Sequence, residues 1–548
     1  MSASVAPLPM QAVSGAARSS NKWIIALSVT FGTLMGTIDT SIVNVAINNI
    51  RGSVGATLEE ITWVATGFVV ASVLVMPLTA FLGRQFGQKK VYMVCLAIFV
   101  VGSFLCGIAR SLESLIIFRA IQGFGAGALQ PTEQAILRQT FTKEEQGMAM
   151  ALFGIAIMIG PAVGPTLGGY IVDNYAWPWI FFINLPVGVL GLIMVARYVP
   201  EPEDIRQANL AAAAKERKNL DWIGIALLSV GIASLQYVLE EGNRKDWFQS
   251  GLISVLCIVA VFSLAAFVIR ELTAVSPVVD LRLFKEPVFA SASFIGAIMF
   301  AMLMASMFLL PVFMQSMLGF TAMQSGMALL PRVMVMMVLT PIVGKMYGKV
   351  FSARVMVGFG VMMFGIGSVM LSRLTLQSGS HDLILANMVQ GVGFAFLFIP
   401  LQAVSLANIP RHQLTNATGL SSLLRQIGGS VGLAVFATQL TRRGIVAKAS
   451  VAAHLTAVDP HVVARVNGIQ SALVGRGMDA TMAHQVAIVS LDRMATGQGM
   501  LMSFDQLFLL GGILFMAVLP LLYFLKQPNL TEVTHAPGQA PEVAHMEM

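Results

Sequence analysis

Long apolar stretches separated by short polar segments cover almost the whole chain. About 20 apolar residues in an α-helix cross the roughly 30 Å hydrocarbon core of a bilayer. Fourteen stretches have the required length, so the pattern predicts an all-α integral membrane protein with fourteen spans. The predicted spans are 23–47, 61–82, 91–108, 112–137, 147–171, 179–199, 221–239, 251–269, 288–317, 324–346, 355–374, 383–407, 413–440 and 506–525.

Two short patterns recur at a nearly constant spacing. The segment that begins at Pro77 has a counterpart at Pro341, 264 residues later, and Gln122-Gly-Phe-Gly recurs as Gln390-Gly-Val-Gly, 268 residues later. These offsets predict two six-helix bundles with two inserted helices between them, a transporter architecture whose site lies between the repeats. The predicted parts are a tail (1–22), an N-terminal bundle (23–199), a linker with the inserted helices (200–287), a C-terminal bundle (288–526) that includes a periplasmic loop (441–504), and a second tail (527–548).

The basic residues predict the orientation of these spans. With both termini placed in the cytoplasm, the inner loops and tails hold 20 of the 34 lysines and arginines, and the outer side holds 11. Six of those 11 lie in the segment 441–504, whose length weakens the positive-inside rule. The short loops therefore predict that both termini are cytoplasmic. The first twenty residues contain no apolar core followed by a small-residue cleavage site, so we expect a polar tail there.

Composition argues against several other classes of protein. Hydrophobic residues make up 56% of the chain and charged residues 11%, so water is not expected to be its main solvent. The three cysteines lie in apolar runs and the seven histidines lie in loops, tails or span edges, so we predict neither a disulfide framework nor a metal site. The basic residues flank apolar segments, as expected beside anionic lipid, and form no nucleic-acid-binding patch. No cofactor is predicted.

Ionisable residues inside apolar spans are the strongest functional candidates, because each costs at least about 3 kcal/mol at the centre of a bilayer. In the fourth span, Arg119, Gln122, Gln130 and Glu133 share one helical face, which predicts that this face lines a cavity. Arg119 and Glu133 are about 21 Å apart along the helix, so each needs a partner from another helix. For Glu133, a snorkelling interfacial carboxylate is an equally good interpretation.

The first span carries a polar stripe that includes Asn44, with Asp39 beside it. A carboxylate in such surroundings favours its protonated form unless an arginine compensates, which suits a proton carrier. We therefore predict that Asp39 couples transport to protons, together with Arg119 and Glu133. The predicted substrate cavity contains the polar residues of both bundles that face the interior, namely Asn44, Gln122, Gln130, Arg332, Gln390 and Arg425.

The fifth span repeats small residues at every fourth position, which allows another helix to approach closely. Its prolines, Pro161 and Pro165, remove backbone donors and favour a bend. Close packing with a bend suits a helix between moving halves, although tight packing without motion explains the same pattern. The predicted conformational motif comprises Gly160, Pro161, Gly164, Pro165, Gly168 and Gly169.

Together these residues resemble the major facilitator superfamily, specifically its fourteen-span drug:proton antiporters of the EmrB/QacA type. The segment 38–46 is similar to the first-span signature, 119–125 to the fourth-span motif implicated in proton transfer, 160–169 to the antiporter motif, and 179–188 to the entry of the sixth span. The loop 80–90 resembles the superfamily's inner-loop motif but has Arg84 at the usual aspartate position. The predicted gating residues there are Gly83, Arg84, Gly87, Lys89 and Lys90.

The resemblance implies a proton-coupled exporter of small lipophilic toxic compounds in a bacterial inner membrane. It also implies a periplasmic adaptor and an outer-membrane channel as partners. A proton-coupled nutrient or metabolite transporter with the same fold stays open as an alternative, because architecture does not set the direction of transport. Enzyme-like glycine patterns at 123–128 and 428–432 lie in apolar helices without the strand that such motifs need, so we do not predict an enzyme.

Overall fold

The computed structural model describes residues 21–142, 145–200, 221–274, 277–347, 350–410, 413–453, 455–456 and 459–525, except for the side chains of residues 48, 58–59, 161–162, 322 and 380. Within these residues the chain is helical and contains fourteen helices long and apolar enough to span a membrane, which confirms the predicted fold class. The spans are Lys22–Ile47, Trp63–Phe86, Gln88–Gly107, Leu112–Thr140, Gln146–Asn174, Trp179–Tyr198, Trp222–Glu241, Gly251–Thr273, Pro287–Ser316, Met323–Met346, Ala353–Leu371, His381–Ser405, Leu414–Ala453 and Ala480–Phe524.

Several helices differ from the prediction in length or continuity. The fourth span is divided at Ala128 and the sixth at Ile183, and the first helix continues to Val54. The thirteenth helix has 40 residues, about 60 Å at 1.5 Å per residue, which is twice the hydrocarbon thickness. The start of the helix Ala480–Met516 packs with the end of this helix and with the helix Pro460–Val474. These three helical segments form a projection that contains most of the predicted loop 441–504.

The internal repeat is visible in the packing of equivalent glycines. A Cβ added to Gly123 would lie 2.3 Å from the carbonyl oxygen of Phe68, and one added to Gly391 would lie 2.6 Å from that of Arg332. Gly125 and Gly393 likewise press against the backbone of the third and eleventh spans. Glycine is required at these positions because the helix backbones touch.

The two bundles have the same arrangement of helices. The first span packs against the fifth, the second and third against the fourth, and the corresponding spans of the second bundle repeat these contacts. The bundles meet where the fifth span contacts the tenth and where the second contacts the thirteenth. The inserted seventh span packs against spans two and thirteen, so it covers one of the two lines of contact between the bundles.

The bundles are closed against one another at the end that carries the loop 83–90, which we call the basic end. Gln88 Nε2 donates a 2.6 Å hydrogen bond to Thr415 Oγ1, and Arg138 donates to the carbonyl oxygen of Ala403 at 3.0 Å. A Cβ on Gly147 would lie 2.4 Å from the carbonyl oxygen of Gly344. That the basic end faces the cytoplasm stays a prediction. Residues 1–20 of the predicted tail 1–22, the predicted tail 527–548, residues 201–220 of the predicted linker 200–287, Lys143 and Lys349 lie outside the described residues.

Candidate functional site

The strongest candidate site is an ion pair buried inside the N-terminal bundle. Arg119 Nη1 lies 2.5 Å from Asp39 Oδ2, and the two side chains are 1% and 0% exposed. Asp39 comes from the first span and Arg119 from the fourth, 80 residues later. The structure therefore supplies the partner from another helix that the sequence predicted for Arg119.

Amide side chains complete the hydrogen bonds of Asp39. Its Oδ1 accepts from Gln122 Nε2 at 2.8 Å and from Asn184 Nδ2 at 3.1 Å. Gln122 Oε1 in turn accepts from Arg119 Nη1 at 2.8 Å, and Asn184 also donates to Ser103 Oγ at 2.9 Å. Donors from the fourth and sixth spans thus meet the carboxylate of the first span, and Ser103 of the third span joins the network through Asn184. These bonds fix the position of the carboxylate and satisfy its oxygens.

Arg119 is held by two further contacts. Its Nε donates to the carbonyl oxygen of Val64 at 3.1 Å, and its guanidinium lies 4.2 Å from the ring centroid of Phe68. Removing one member of such a buried pair is costly because the remaining charge keeps its desolvation penalty. Each member of the Asp39–Arg119 pair therefore stabilises the other in the interior of the bundle.

Glu133 lies in a separate polar cluster. Its carboxyl group accepts hydrogen bonds from the hydroxyls of Thr30, at 3.0 Å, and Thr33, and the side chain is 0% exposed. Among the described residues it forms no ion pair, and the snorkelling interpretation does not fit this complete burial. Each of its two carboxyl oxygens therefore has a hydroxyl donor from the first span.

Two arginines of the C-terminal bundle are buried among neutral partners. Arg332 donates through Nη2 to Ser306 Oγ at 3.0 Å and to Gln390 Oε1. Arg425 donates to Gln402 Oε1 at 2.9 Å and, at 2.8 Å each, to two serine hydroxyls of its own helix. Neither arginine has a carboxylate partner among the described residues.

The predicted cavity residues are not all placed alike. Gln122, Arg332 and Gln390 are 0–1% exposed and lie inside their own bundles in this closed-end conformation. Gln130 is half-buried, Arg425 is 4% exposed, and Asn44 is exposed. Because third-span Gly102 lies against the backbone of Gln122, the polar face of the fourth span is directed into its bundle at this level and lines no open cavity there.

The small-residue stripe of the fifth span packs against the first span. A Cβ on Gly160 would lie 2.4 Å from Thr37, and those on Gly164 and Gly168 would meet Ser41 and Ile42. Gly169 has open space, Pro165 is half-buried, and the helix continues from Gln146 to Asn174 through both prolines. This stripe therefore joins two helices of one bundle, while other residues of the fifth span contact the second bundle.

The inner-loop motif forms a one-residue connection between the second and third spans. Gly87 has φ of 87°, a left-handed conformation that favours glycine, and its N–H bonds the carbonyl oxygen of Gly83. Lys89 donates to the carbonyl oxygen of Ala196, Lys90 is exposed, and Arg84 is partly exposed. The motif is thus anchored within its bundle, next to the Gln88–Thr415 bond between the bundles.

The sequence reasoning missed Asn184, Ser103 and Ser306. Each is a polar side chain inside an apolar span, which is a usable signal, but such residues commonly bond their own helix backbone. What singles them out in the structure is a bond to a side chain of another span.

The comparisons with known proteins agree with this architecture. Residues 29–433 match the Major Facilitator Superfamily. The chain belongs to this superfamily. Multidrug export protein EmrB of Escherichia coli K12 is 33% identical over 507 residues, covering 92% of this chain and 95% of that protein. Fatty acid resistance protein FarB of Neisseria gonorrhoeae is 32% identical over 504 residues, covering 92% and 96%.

Solved structures show the same fold at low identity. The proton:xylose symporter XylE has a TM-score of 0.57 and 14% identity over 78% of this chain and 90% of that one. The human organic anion transporter MFSD10 has a TM-score of 0.54 and 14% identity, covering 90% and 99%. A superfamily of transporters is not a class of enzymes. The fourteen spans show a multi-pass membrane protein, and the similarity to bacterial EmrB indicates the bacterial inner membrane.

Proposed function

We propose that this transporter exports lipophilic toxic compounds from the cell in exchange for protons. The observation that carries the proposal is the buried Asp39–Arg119 pair, bonded to Gln122 and Asn184, in a chain similar to proteins named for multidrug export and fatty acid resistance. Those names favour export over the alternative of nutrient uptake. An ionisable group kept inside a membrane at such cost marks an ion pathway by default.

Proton coupling follows from competition for the carboxylate of Asp39. When Asp39 is charged, it holds Arg119 and draws the first and fourth spans together. A proton on Asp39 removes that attraction and leaves Arg119 with Gln122 and the carbonyl oxygen of Val64. Arg119 does not itself release a proton, so it acts as the charge that makes the protonation of Asp39 change the packing.

Glu133 provides a second proton-carrying group in the same helix pair. Its hydroxyl partners, Thr30 and Thr33, come from the first span, as Asp39 does. Two carboxyl groups of different surroundings thus connect the first and fourth spans at two levels. We assign Asp39 the coupling role because its proton competes with a cation, and we assign Glu133 to proton transfer along the helix pair.

The available energy is sufficient for export. One proton moving inward through 100 mV releases about 2.3 kcal/mol. That energy supports a gradient of roughly 40- to 50-fold for a neutral compound. One proton per transport cycle is therefore enough for protective efflux.

The test is ethidium transport in inverted membrane vesicles energised by a pH gradient. We expect Asp39→Asn to lose gradient-driven transport while exchange of substrate without a gradient continues. Asp173→Asn, which removes an exposed acid at the end of the fifth span, is the matched control and should transport like the wild type. Equal gradient-driven transport by wild type and Asp39→Asn would remove Asp39 from coupling.

We further propose that the helical projection in 441–504 contacts a periplasmic adaptor, which in turn meets an outer-membrane channel. Exposed apolar side chains support a contact there, since Ile445 and Val446 are each 68% exposed, and Ile488 and Val489 each 50%. Site-specific photo-crosslinking from Val446 in cells should capture the adaptor. Capture from Phe262, an equally exposed residue of the eighth span, at the same yield would contradict this assignment.

A further inference from the structure

The seventh span bonds the N-terminal bundle at the end opposite the basic end. Its Glu241 accepts a hydrogen bond from Thr62 Oγ1 at 3.2 Å, and Arg244, in the turn after the span, donates to the same hydroxyl at 2.6 Å. Glu241 and Arg244 also form an ion pair. The ring centroids of Trp63 and Tyr237 lie 5.2 Å apart next to these bonds. Charged and aromatic contacts thus attach the seventh span to the first turn of the second span.

The same turn of the second span also contacts the buried ion pair. The carbonyl oxygen of Val64 accepts a 3.1 Å hydrogen bond from Arg119 Nε, and Arg119 is paired with Asp39. Val64 follows Thr62 by two residues. The first turn of the second span is therefore bonded to Arg119 within the bundle and to the seventh span outside it, so a shift of Arg119 is passed on to the seventh span.

The seventh span bonds the C-terminal bundle as well. Gln236 Nε2 donates to Ser430 Oγ at 2.7 Å, and Trp247 Nε1 donates to Thr438 Oγ1 at 2.9 Å. We call these two bonds the span-thirteen junction. Gln236 is 1% exposed, and its Oε1 has no partner among the described residues, which destabilises this arrangement. The bonds at Thr62 involve charged groups and are stronger, so the junction is the weaker of the two attachments.

The two attachments respond differently to motion of the bundles. Rocking of one bundle against the other is the usual motion of transporters with this architecture. Opening of the basic end, now closed by the bond from Gln88 to Thr415, separates spans two and thirteen there and changes their distance at the opposite end. The seventh span then loses one set of bonds, because a hydrogen bond is absent once donor and acceptor are about 3.6 Å apart.

We infer that the seventh span moves with the N-terminal bundle and that the span-thirteen junction is a latch, formed only while the basic end is closed. The latch stabilises that conformation and opens when the basic end opens, while the bonds at Thr62 persist. Through the first turn of the second span, it links the Asp39–Arg119 pair to the C-terminal bundle. The inference deepens the proposed function, on which it rests, by naming the element that connects the proton site to the second bundle.

The first experiment measures opening of the basic end in the purified full-length protein. A cysteine introduced at the buried position Thr418 is labelled with a fluorescent maleimide, and the labelling of the native cysteines is subtracted. Ser430→Ala with Thr438→Val removes both latch acceptors and should raise the labelling rate roughly 5- to 150-fold, the effect of two neutral hydrogen bonds. Thr441→Val removes an exposed hydroxyl of the same helix that bonds the helix backbone, and it should leave the rate unchanged.

Trp247→Phe keeps the test decisive if the double variant does not fold. It retains an aromatic ring and removes one latch donor, so it should raise the labelling rate roughly 2- to 12-fold. A wild-type labelling rate in both the double variant and Trp247→Phe would overturn the inference.

The second experiment shows which bundle the seventh span follows. A short, reducible bis-methanethiosulfonate bridge joins Gln236→Cys to Ser430→Cys across the latch, and in a matched variant it joins Tyr237→Cys to Trp63→Cys. We expect the first bridge to stop exchange of ethidium until it is reduced, and the second to leave exchange intact. Exchange that continues with the first bridge, or stops with the second, would contradict the inference.

Labelling at Thr418 requires neither a substrate nor an ion gradient, so the first experiment is independent of proton-driven efflux. A protein that moves ethidium with a pH gradient but is labelled equally with and without the latch would contradict the latch and leave the proposed function standing. Faster labelling without the latch, in a protein whose wild type does not move ethidium with a pH gradient, would support the latch and contradict the proposed function.

Discussion

The Asp39–Arg119 pair makes a direct prediction about the stability of the N-terminal bundle. Asp39→Asn keeps the size of the side chain but removes its charge and one acceptor oxygen. In the structure both oxygens of Asp39 face donors, from Arg119 on one side and from Gln122 and Asn184 on the other. Whichever way the new amide turns, its NH₂ group meets a donor, and Arg119 remains as an uncompensated buried cation.

The expected cost is about 3–5 kcal/mol, the typical penalty for removing one partner of a buried pair. The 0–1% exposure of both side chains places this pair at the buried extreme, where solvent screening is small. The double variant Asp39→Asn with Arg119→Gln removes both charges and leaves two side chains that can hydrogen-bond each other. It should recover at least half of the lost stability.

Thermal unfolding with a thiol-reactive fluorophore is a suitable assay. Cys95 and Cys106 are buried in the N-terminal bundle, and the thiol of Cys106 lies 3.6 Å from Gln122 Oε1, so their exposure reports unfolding at the site. The predicted order of stability is wild type, then the double variant, then Asp39→Asn. A single variant as stable as the double variant would refute the argument that the two charges depend on each other.

Three further predictions concern packing and closure. Gly160→Val should destabilise the protein by at least about 1–3 kcal/mol, because its side chain meets Thr37 in the first span, whereas Gly169→Ala, with open space around it, should unfold like the wild type. Thr33→Val leaves a Glu133 oxygen without its donor and should lower the free energy of unfolding by about 1–3 kcal/mol. The control Thr40→Val, at an exposed position of the same span, should leave the free energy of unfolding unchanged. Gln88→Leu removes a hydrogen bond between the bundles at the basic end, so it should increase the labelling of a cysteine introduced at the buried position Thr418. The control Lys89→Leu removes a hydrogen bond within one bundle and should leave this labelling unchanged.

The sequence predicted most of the fold because span formation is a local property. Fourteen apolar stretches of sufficient length became fourteen spans, and the recurring Gln-Gly-x-Gly pattern marked helices with equivalent packing at Gly123 and Gly391. The helical structure of the projection in 441–504 was not predicted in full, because a hydropathy profile marks the end of a span where polar residues begin. A helix continues beyond the bilayer when neighbouring helices pack against it, as Gly499 does against the backbone of Lys448.

The candidate site was predictable as a set of residues but not as contacts. Helical spacing placed Arg119 and Glu133 on one face, yet their partners come from residues 80 and 100 positions away in the chain. Spacing also does not tell whether a polar face is directed into its own bundle or into a cleft between bundles. For Gln122 the answer depends on the close approach of Gly102, a long-range packing feature.

The central claim is that proton binding at Asp39 drives export, and coupled proton flux tests it most directly. In proteoliposomes without an imposed pH gradient, a gradient of ethidium should drive protons in the opposite direction, recorded by a trapped pH-sensitive dye. We predict this flux for the wild type and its loss in the Asp39→Asn, Arg119→Gln double variant. Ethidium movement without proton flux in the wild type, or equal proton flux in the double variant, would contradict the account.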